Sequence, residues 1–171
     1  MNSKTELLLK VMRFFAWLVF IWFLVKAGAI IMSFGVSINN SEAAKDLYSG
    51  MDLSRYEMYN FSHYAVIVCY YIIFYLLQAY TALFTTKLLN FTNTQNAVNV
   101  STVSLLHNIK YTTLAVLVIA ILHNIHVAIL EKYAGIPPDY ITSESIFLAG
   151  MVFVLAVLFK QSLEIQLAND Q

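Results

Sequence analysis

Four apolar runs constrain what this chain can become. The first is FFAWLVFIWFLVKAGAIIMSFGV, residues 14–36. The second runs over about 64–86, and the third is YTTLAVLVIAILHNIHVAIL, residues 111–130. The fourth covers 146–165 and stays fully apolar to Phe159. Each is near the ~20 residues that a helix needs to cross ~30 Å of hydrocarbon. Only helices or closed barrels pair every backbone group inside lipid. The runs are continuous and too long for barrel strands, so they predict four helices in one domain over residues 1–171. The fold class expected is an all-α integral membrane protein with four transmembrane helices.

Composition agrees with a lipid solvent. Hydrophobic residues make up 60% of the chain and charged residues 12%, against roughly 45–50% and ~25% in soluble domains. Formal net charge is zero, which gives no support to a basic nucleic-acid surface. The N-terminus resembles a signal peptide, with Lys4, Lys10 and Arg13 before an apolar run and Ala27-Gly28-Ala29 after it. The run continues through Ile30, Ile31, Met32 and Phe34, so the expectation is an uncleaved span.

Four spans place both termini on one side, and positive charge chooses that side. With the termini inside, the inner segments hold Lys4, Lys10, Arg13, Lys87, Lys110 and Lys160, while the outer loops hold Lys45, Arg55 and Lys132. Both termini are expected to be cytoplasmic. The N-terminal stretch KTELLLKVMRFFAW is expected to lie along the inner interface before turning into the first span. In the first outer loop, Ser41 is expected to cap a short helix EAAKDLY that Gly50 ends, and Tyr48, Tyr56, Tyr59 and Tyr64 fit an interfacial aromatic belt. The second outer loop turns at Pro137-Pro138, and Thr142 or Ser143 can cap the last span. The later half of the polar inner loop is expected to extend the third helix. Cys69, in an apolar run, is expected to be inert packing.

Few residues can carry chemistry. Lys26 lies near the middle of the first span, where a cation costs about 2.5–3.5 kcal/mol and so should face the bundle or water. No acidic residue lies in a span core, so the partners expected are Gln78, tyrosine hydroxyls and backbone carbonyls. Tyr64, Tyr71, Gln78 and Thr85 recur every seven residues, two helical turns, and Tyr75 shares their face. Lys26, Gln78, Tyr71 and Tyr75 are therefore the candidate ligand or lipid site, against the plainer reading of a lysine snorkelling to headgroups and a seam that joins helices. His123 and His126 are one turn apart and would bind a metal only with further ligands such as His63 or Glu131. Interhelical hydrogen bonding is the simpler role for them. Hydrolase, phosphate-loop and zinc-protease motifs are missing. The expectation is no enzyme and no cofactor.

The tail 160–171 leaves the last span with no glycine or proline stop. Leu163, Glu164, Leu167, Asn169 and Asp170 are the candidate docking residues on it, against the reading of a silent chain end. Phe159-Lys160, Glu164-Ile165-Gln166 and Asn169-Asp170, with KTELLLKVMRFFAW, Lys26-Ala27-Gly28-Ala29 and Ser41-Glu42-Ala43-Ala44-Lys45, resemble a bacterial family, domain of unknown function 2975, across essentially the whole chain. Asn96-Ala97-Val98 and Ser162 depart from its pattern, and Gln171 stands where relatives continue. The resemblance implies a four-helix bundle in the bacterial inner membrane and no known activity. It also implies a neighbouring small helix-turn-helix regulator as a partner.

The functional expectation is a non-catalytic regulatory or scaffolding protein that engages a soluble cytoplasmic partner. The alternatives are a small channel or transporter subunit and, behind it, an outer-face metal binder. Expected partners are membrane lipids, that regulator and a second copy of the chain, with no direct nucleic-acid contact.

Overall fold

The computed structural model describes residues 3–91 and 100–169. Four long helices carry the fold: α1 Ser3–Ser37, α3 Phe61–Phe91, α4 Val100–Ala134 and α5 Ser143–Asn169. A short α2, Ser54–Tyr59, sits in the first long connection after a 3₁₀ turn, Ser41–Lys45. All four long helices are long and apolar enough to cross a membrane.

The helices outrun the apolar runs because their flanks are good helix formers. Around Leu7 and Lys10 the chain has Leu, Lys, Met and Arg and no glycine until Gly28, so nothing ends the helix. This corrects the expectation of an interfacial segment that turns into the first span: α1 is one unbroken rod of 35 residues. The expected extension of the third helix is present, since α4 already begins at Val100. At its far end, Gly135 adopts φ +66°, a left-handed stop that suits glycine, and its N–H returns to the Glu131 carbonyl.

Consecutive long helices pack as antiparallel neighbours: α1 on α3, α3 on α4, α4 on α5. Among the described residues the backbones of α1 and α5 nowhere come within 8 Å of each other, Cα to Cα, nor do those of α1 and α4 or of α3 and α5. The bundle is therefore open along one side. Burial agrees, because only 11% of the most apolar α1 window and 6% of that in α5 is buried, against 33% in each of α3 and α4. Phe34 on Tyr64 and Phe23 stacked on Tyr75 join α1 to α3. The Tyr64 hydroxyl donates to Ser37 Oγ at 2.7 Å, and that hydroxyl donates to the Phe34 carbonyl at 2.8 Å. Arg13 donates to Asn90 at the end that bears the termini.

The core concentrates at the opposite, loop end. Leu47, Leu53, Tyr56 and Ile136 from the connections pack there with Ile30, Tyr64, Ile67, Val127 and Leu130. Several loop expectations change as a result. Asn40, not Ser41, caps the first turn, which is 3₁₀, and its Oδ1 accepts from the Glu42 N–H. Tyr56 and Tyr64 are buried inside the fold rather than ringing it, and of the four belt tyrosines only Tyr59 is fully exposed. Cys69 is exposed on the outward face of α3, not packed in the interior. Thr142 caps α5, accepting from the Ser145 N–H at 3.4 Å.

Candidate functional site

The open side leads into a cavity of about 710 Å³ walled by all four long helices. α1 contributes Val19, Trp22, Phe23 and Lys26; α3 contributes Tyr71, Phe74, Tyr75, Gln78, Thr81 and Thr85. Thr113 and Val116 of α4 form the back, and Leu148, Ala149 and Val152 of α5 form the far wall. A second space of about 380 Å³ adjoins it toward the loop end, bounded by Tyr48, Ser49, Gly50 and Met51. Trp22, Lys26, Met51, Tyr75 and Asp139 line both, so they mark the junction. Apolar walls with a few convergent polar groups are the usual make-up of a small-molecule site, and the volume falls in the usual range of ~300–1,000 Å³.

Lys26, Gln78, Tyr71 and Tyr75, singled out from spacing, line this one cavity. The heptad along α3 puts Tyr71 and Gln78 on one face, and Tyr75, one turn after Tyr71, shares it. The partners of Lys26 differ from those expected. Its ammonium faces three rings, with Trp22 at 4.4 Å, Tyr75 at 5.2 Å and Tyr48 at 5.6 Å from the centroids. Each ring face offers a negative quadrupole, worth ~2 kcal/mol or more where water is excluded. Lys26 forms no hydrogen bond to Gln78 or to a tyrosine hydroxyl.

The acid missing from the span cores arrives from a loop. After Gly135 the chain folds back along α4 instead of leaving the bundle. Asn124 clamps Ile141, its Oδ1 accepting from the Ile141 N–H at 2.9 Å and its Nδ2 donating to the Ile141 carbonyl at 3.1 Å. Asn124 is ten residues before the end of α4, so the loop descends about 15 Å at 1.5 Å per residue. The Tyr71 hydroxyl lies 3.1 Å from both the Asp139 carbonyl and Asp139 Oδ2. The Tyr56 hydroxyl accepts from the Asp139 N–H at 3.0 Å and donates to the Pro137 carbonyl at 3.1 Å. Asp139 is thereby held in the cavity wall. Burial raises its carboxyl above the ordinary range, and the Tyr71 phenol pulls the other way.

Spacing alone missed this acid because the depth of a loop is a tertiary property. One signal was present: GIPPDYI carries a single charge among apolar and proline residues, which is unusual for a loop expected to lie in water. The cage around Lys26 was also missed, since Tyr48 is far from Trp22 in the chain.

The histidines separate. His126 Nε2 and His63 Nδ1 lie 3.0 Å apart, joining α4 to α3. His123 is fully buried, edge-on to Tyr71, with Nδ1 at 3.1 Å from Asn124 Oδ1. Asn124 Oδ1 already accepts from Ile141, so it is an acceptor and His123 Nδ1 carries the proton. His123 and His126 thus have different partners. Among the described residues no three His, Cys, Asp or Glu side chains form a group that could hold a metal.

At the terminal end, α5 continues unbroken to Asn169. Lys160 pairs with Glu164 at 3.4 Å, and Leu163 is half-buried. The side chains of Leu167 and Asn169, and all of Asp170, lie outside the described residues.

No curated protein and no solved structure matches the chain. A family model described as protein of unknown function (DUF2975) matches residues 53–171. The match begins in the first long connection, so it takes in α3, α4, α5 and Asp139 but not α1 or Lys26. It covers well over half the sequence, and the chain belongs to this family of proteins of unknown function, DUF2975.

Proposed function

We propose that this is a non-catalytic regulatory protein of the bacterial inner membrane that takes an amphiphile into its lateral cavity and presents the state of that cavity to a cytoplasmic partner. The carrying observation is the lateral cavity between two helices whose backbones stay apart, with mostly apolar α1 and α5 walls, polar Gln78, Thr81, Thr85 and Thr113 on the α3 and α4 side, and its two charged groups where it meets the loops. An opening of that kind admits a molecule from lipid without passage through water. The excess of Lys and Arg at the terminal end supports cytoplasmic termini, so the polar junction faces the outer leaflet. Helix α5 forms one cavity wall through Leu148, Ala149 and Val152 and runs on to the tail, so displacement of that wall moves the tail.

A pore is the reading this geometry favours less. A conducting path needs a polar wall on every side, whereas this one opens to lipid between α1 and α5. A catalytic role is favoured less: among the described residues Lys26 and Asp139 are the only formally charged side chains in the cavity wall, and they form no ion pair.

Lipid retention tests the reading. Protein purified in mild detergent should carry tightly held amphiphile, counted by native mass spectrometry. Ala149→Trp places an indole in the cavity and should abolish retention while helix content is unchanged. Equal retention by wild type and Ala149→Trp would refute the site.

A further inference from the structure

The charges at the junction specify the head of the ligand. Lys26 and Asp139 both line the junction of the two cavities, yet they form no ion pair with each other. Neither has any ion-pair partner among the described residues. The Lys26 ammonium sits against three ring faces, and among the described residues its N–H donors have no hydrogen-bond acceptor. The Asp139 carboxylate receives one side-chain donor, the Tyr71 hydroxyl at Oδ2, and its Oδ1 receives none. The Gln78 amide and the Tyr75 hydroxyl line the same cavity and, among the described residues, also have no hydrogen-bond partner.

An unpaired charge in a low-dielectric site is costly, and one such charge of each sign stands here. A purely anionic head would satisfy Lys26 and bring a second negative charge beside Asp139. A purely cationic head would do the reverse. An uncharged head would leave both unpaired. A zwitterion satisfies both at once. The aromatic box narrows the cationic half, because Trp22, Tyr48 and Tyr75 are already occupied by the protein's own ammonium. A quaternary ammonium needs such a box empty. A primary ammonium needs hydrogen-bond acceptors instead, which the free edge of Asp139 supplies.

We infer that the amphiphile is zwitterionic, with a phosphodiester on Lys26 and a primary ammonium on Asp139, as in a phosphatidylethanolamine. This rests on the reading of the cavity as an amphiphile site. The head fills the smaller space at the junction, and the chains follow the apolar wall of Val19, Phe74, Leu148 and Val152 out between α1 and α5.

The test uses delipidated full-length protein in detergent, titrated with dioleoyl phosphatidylethanolamine, phosphatidylcholine or phosphatidylglycerol, with bound lipid counted by native mass spectrometry. Wild type should prefer the ethanolamine lipid roughly tenfold over each of the others, the scale of one charge-assisted contact of about 1.4 kcal/mol. Asp139→Asn keeps an acceptor for Tyr71 and should erase that preference or reverse it toward phosphatidylglycerol. Lys26→Met removes an intramembrane cation, so insertion is not at risk, and it should weaken all three lipids. Phosphatidylglycerol preferred by wild type and unmoved by Asp139→Asn would overturn the zwitterion and leave the amphiphile site standing. Choline and ethanolamine lipids bound equally would overturn the primary ammonium. No lipid retained by wild type, or displacement at equal concentration by chain-free glycerophosphoethanolamine, would overturn the amphiphile reading itself.

Discussion

The Tyr71 hydroxyl lies 3.1 Å from both the carbonyl and the carboxylate of Asp139, tying a loop to the long apolar helix α3. One phenol thus anchors the segment that closes the loop end of the cavity. Tyr71→Phe keeps the ring against His123 and removes only the hydroxyl. Leaving these partly buried acceptors unsatisfied should cost about 1–3 kcal/mol. Thermal unfolding in detergent should show a lower Tm. A cysteine placed at Tyr140, beside the loosened segment, should label faster. An unchanged Tm and labelling rate would show that Tyr56 and Asn124 hold the loop without help.

Asp139 should leave a mark on the pH dependence of stability. Burial raises its pKa in the folded protein. The folded state then binds more protons than the unfolded state above the ordinary carboxylate pKa of ~3.9. Its contribution is fully present below that value and is lost as pH rises through the raised folded value. Asp52 runs the opposite way. The Ser54 hydroxyl and N–H hold its carboxyl low, so what it contributes is lost as pH falls. Subtracting the Asp139→Asn stability profile from that of wild type isolates the first effect. The difference should decline with rising pH across the weakly acidic range. A difference that rises there would contradict the burial of Asp139.

His63 and His126 form the hydrogen bond that joins α3 to α4 near their loop ends. One ring donates and the other accepts, so at least one is neutral. Interhelical hydrogen bonds in membranes average about 0.6 kcal/mol in double-mutant cycles. A cycle with His63→Ala, His126→Ala and the double variant should return a coupling of about that size. A value near zero would mean that the two rings meet only as packing surfaces.

What the sequence made legible follows a physical line. Properties carried by one helix were readable: the four long apolar helices, the extension of α4, and the face shared by Tyr71, Tyr75 and Gln78, because 3.6 residues per turn convert spacing into direction. The position of Lys26 against a cavity followed from the cost of its charge. Properties made by two distant segments were not readable. Spacing cannot show that Tyr48 would reach over Lys26, that the loop after Gly135 would descend to Asn124, or that His63 would meet His126. The separation of the α1 and α5 backbones was equally hidden, since apolar helices pack with one another as readily as with lipid. The error over the N-terminal stretch has a cause of its own: Lys10 and Arg13 suggest a surface segment, yet nothing there stops a helix.

The tail carries the last prediction. α5 passes from the cavity wall to Asn169 without a break, so its terminal turns move as one body with Leu148 and Val152. The Lys160–Glu164 pair at 3.4 Å joins a partly buried lysine, 24% accessible, to an exposed glutamate, 50% accessible, and a pair this open to solvent contributes about 0–1 kcal/mol. Glu164→Gln should therefore change the unfolding free energy by no more than about 1 kcal/mol, so a loss of partner capture at unchanged stability reports recognition. Leu163→Asp with Leu167→Asp removes the apolar pair from the end of the rod. If the tail docks the partner proposed above, this double variant should lose its capture at normal membrane abundance. Ala149→Trp, which fills the cavity about 20 Å up the same helix from Leu163, should change the amount captured without touching the tail. Capture unchanged in both variants would separate the tail from the cavity and leave α5 as a wall alone.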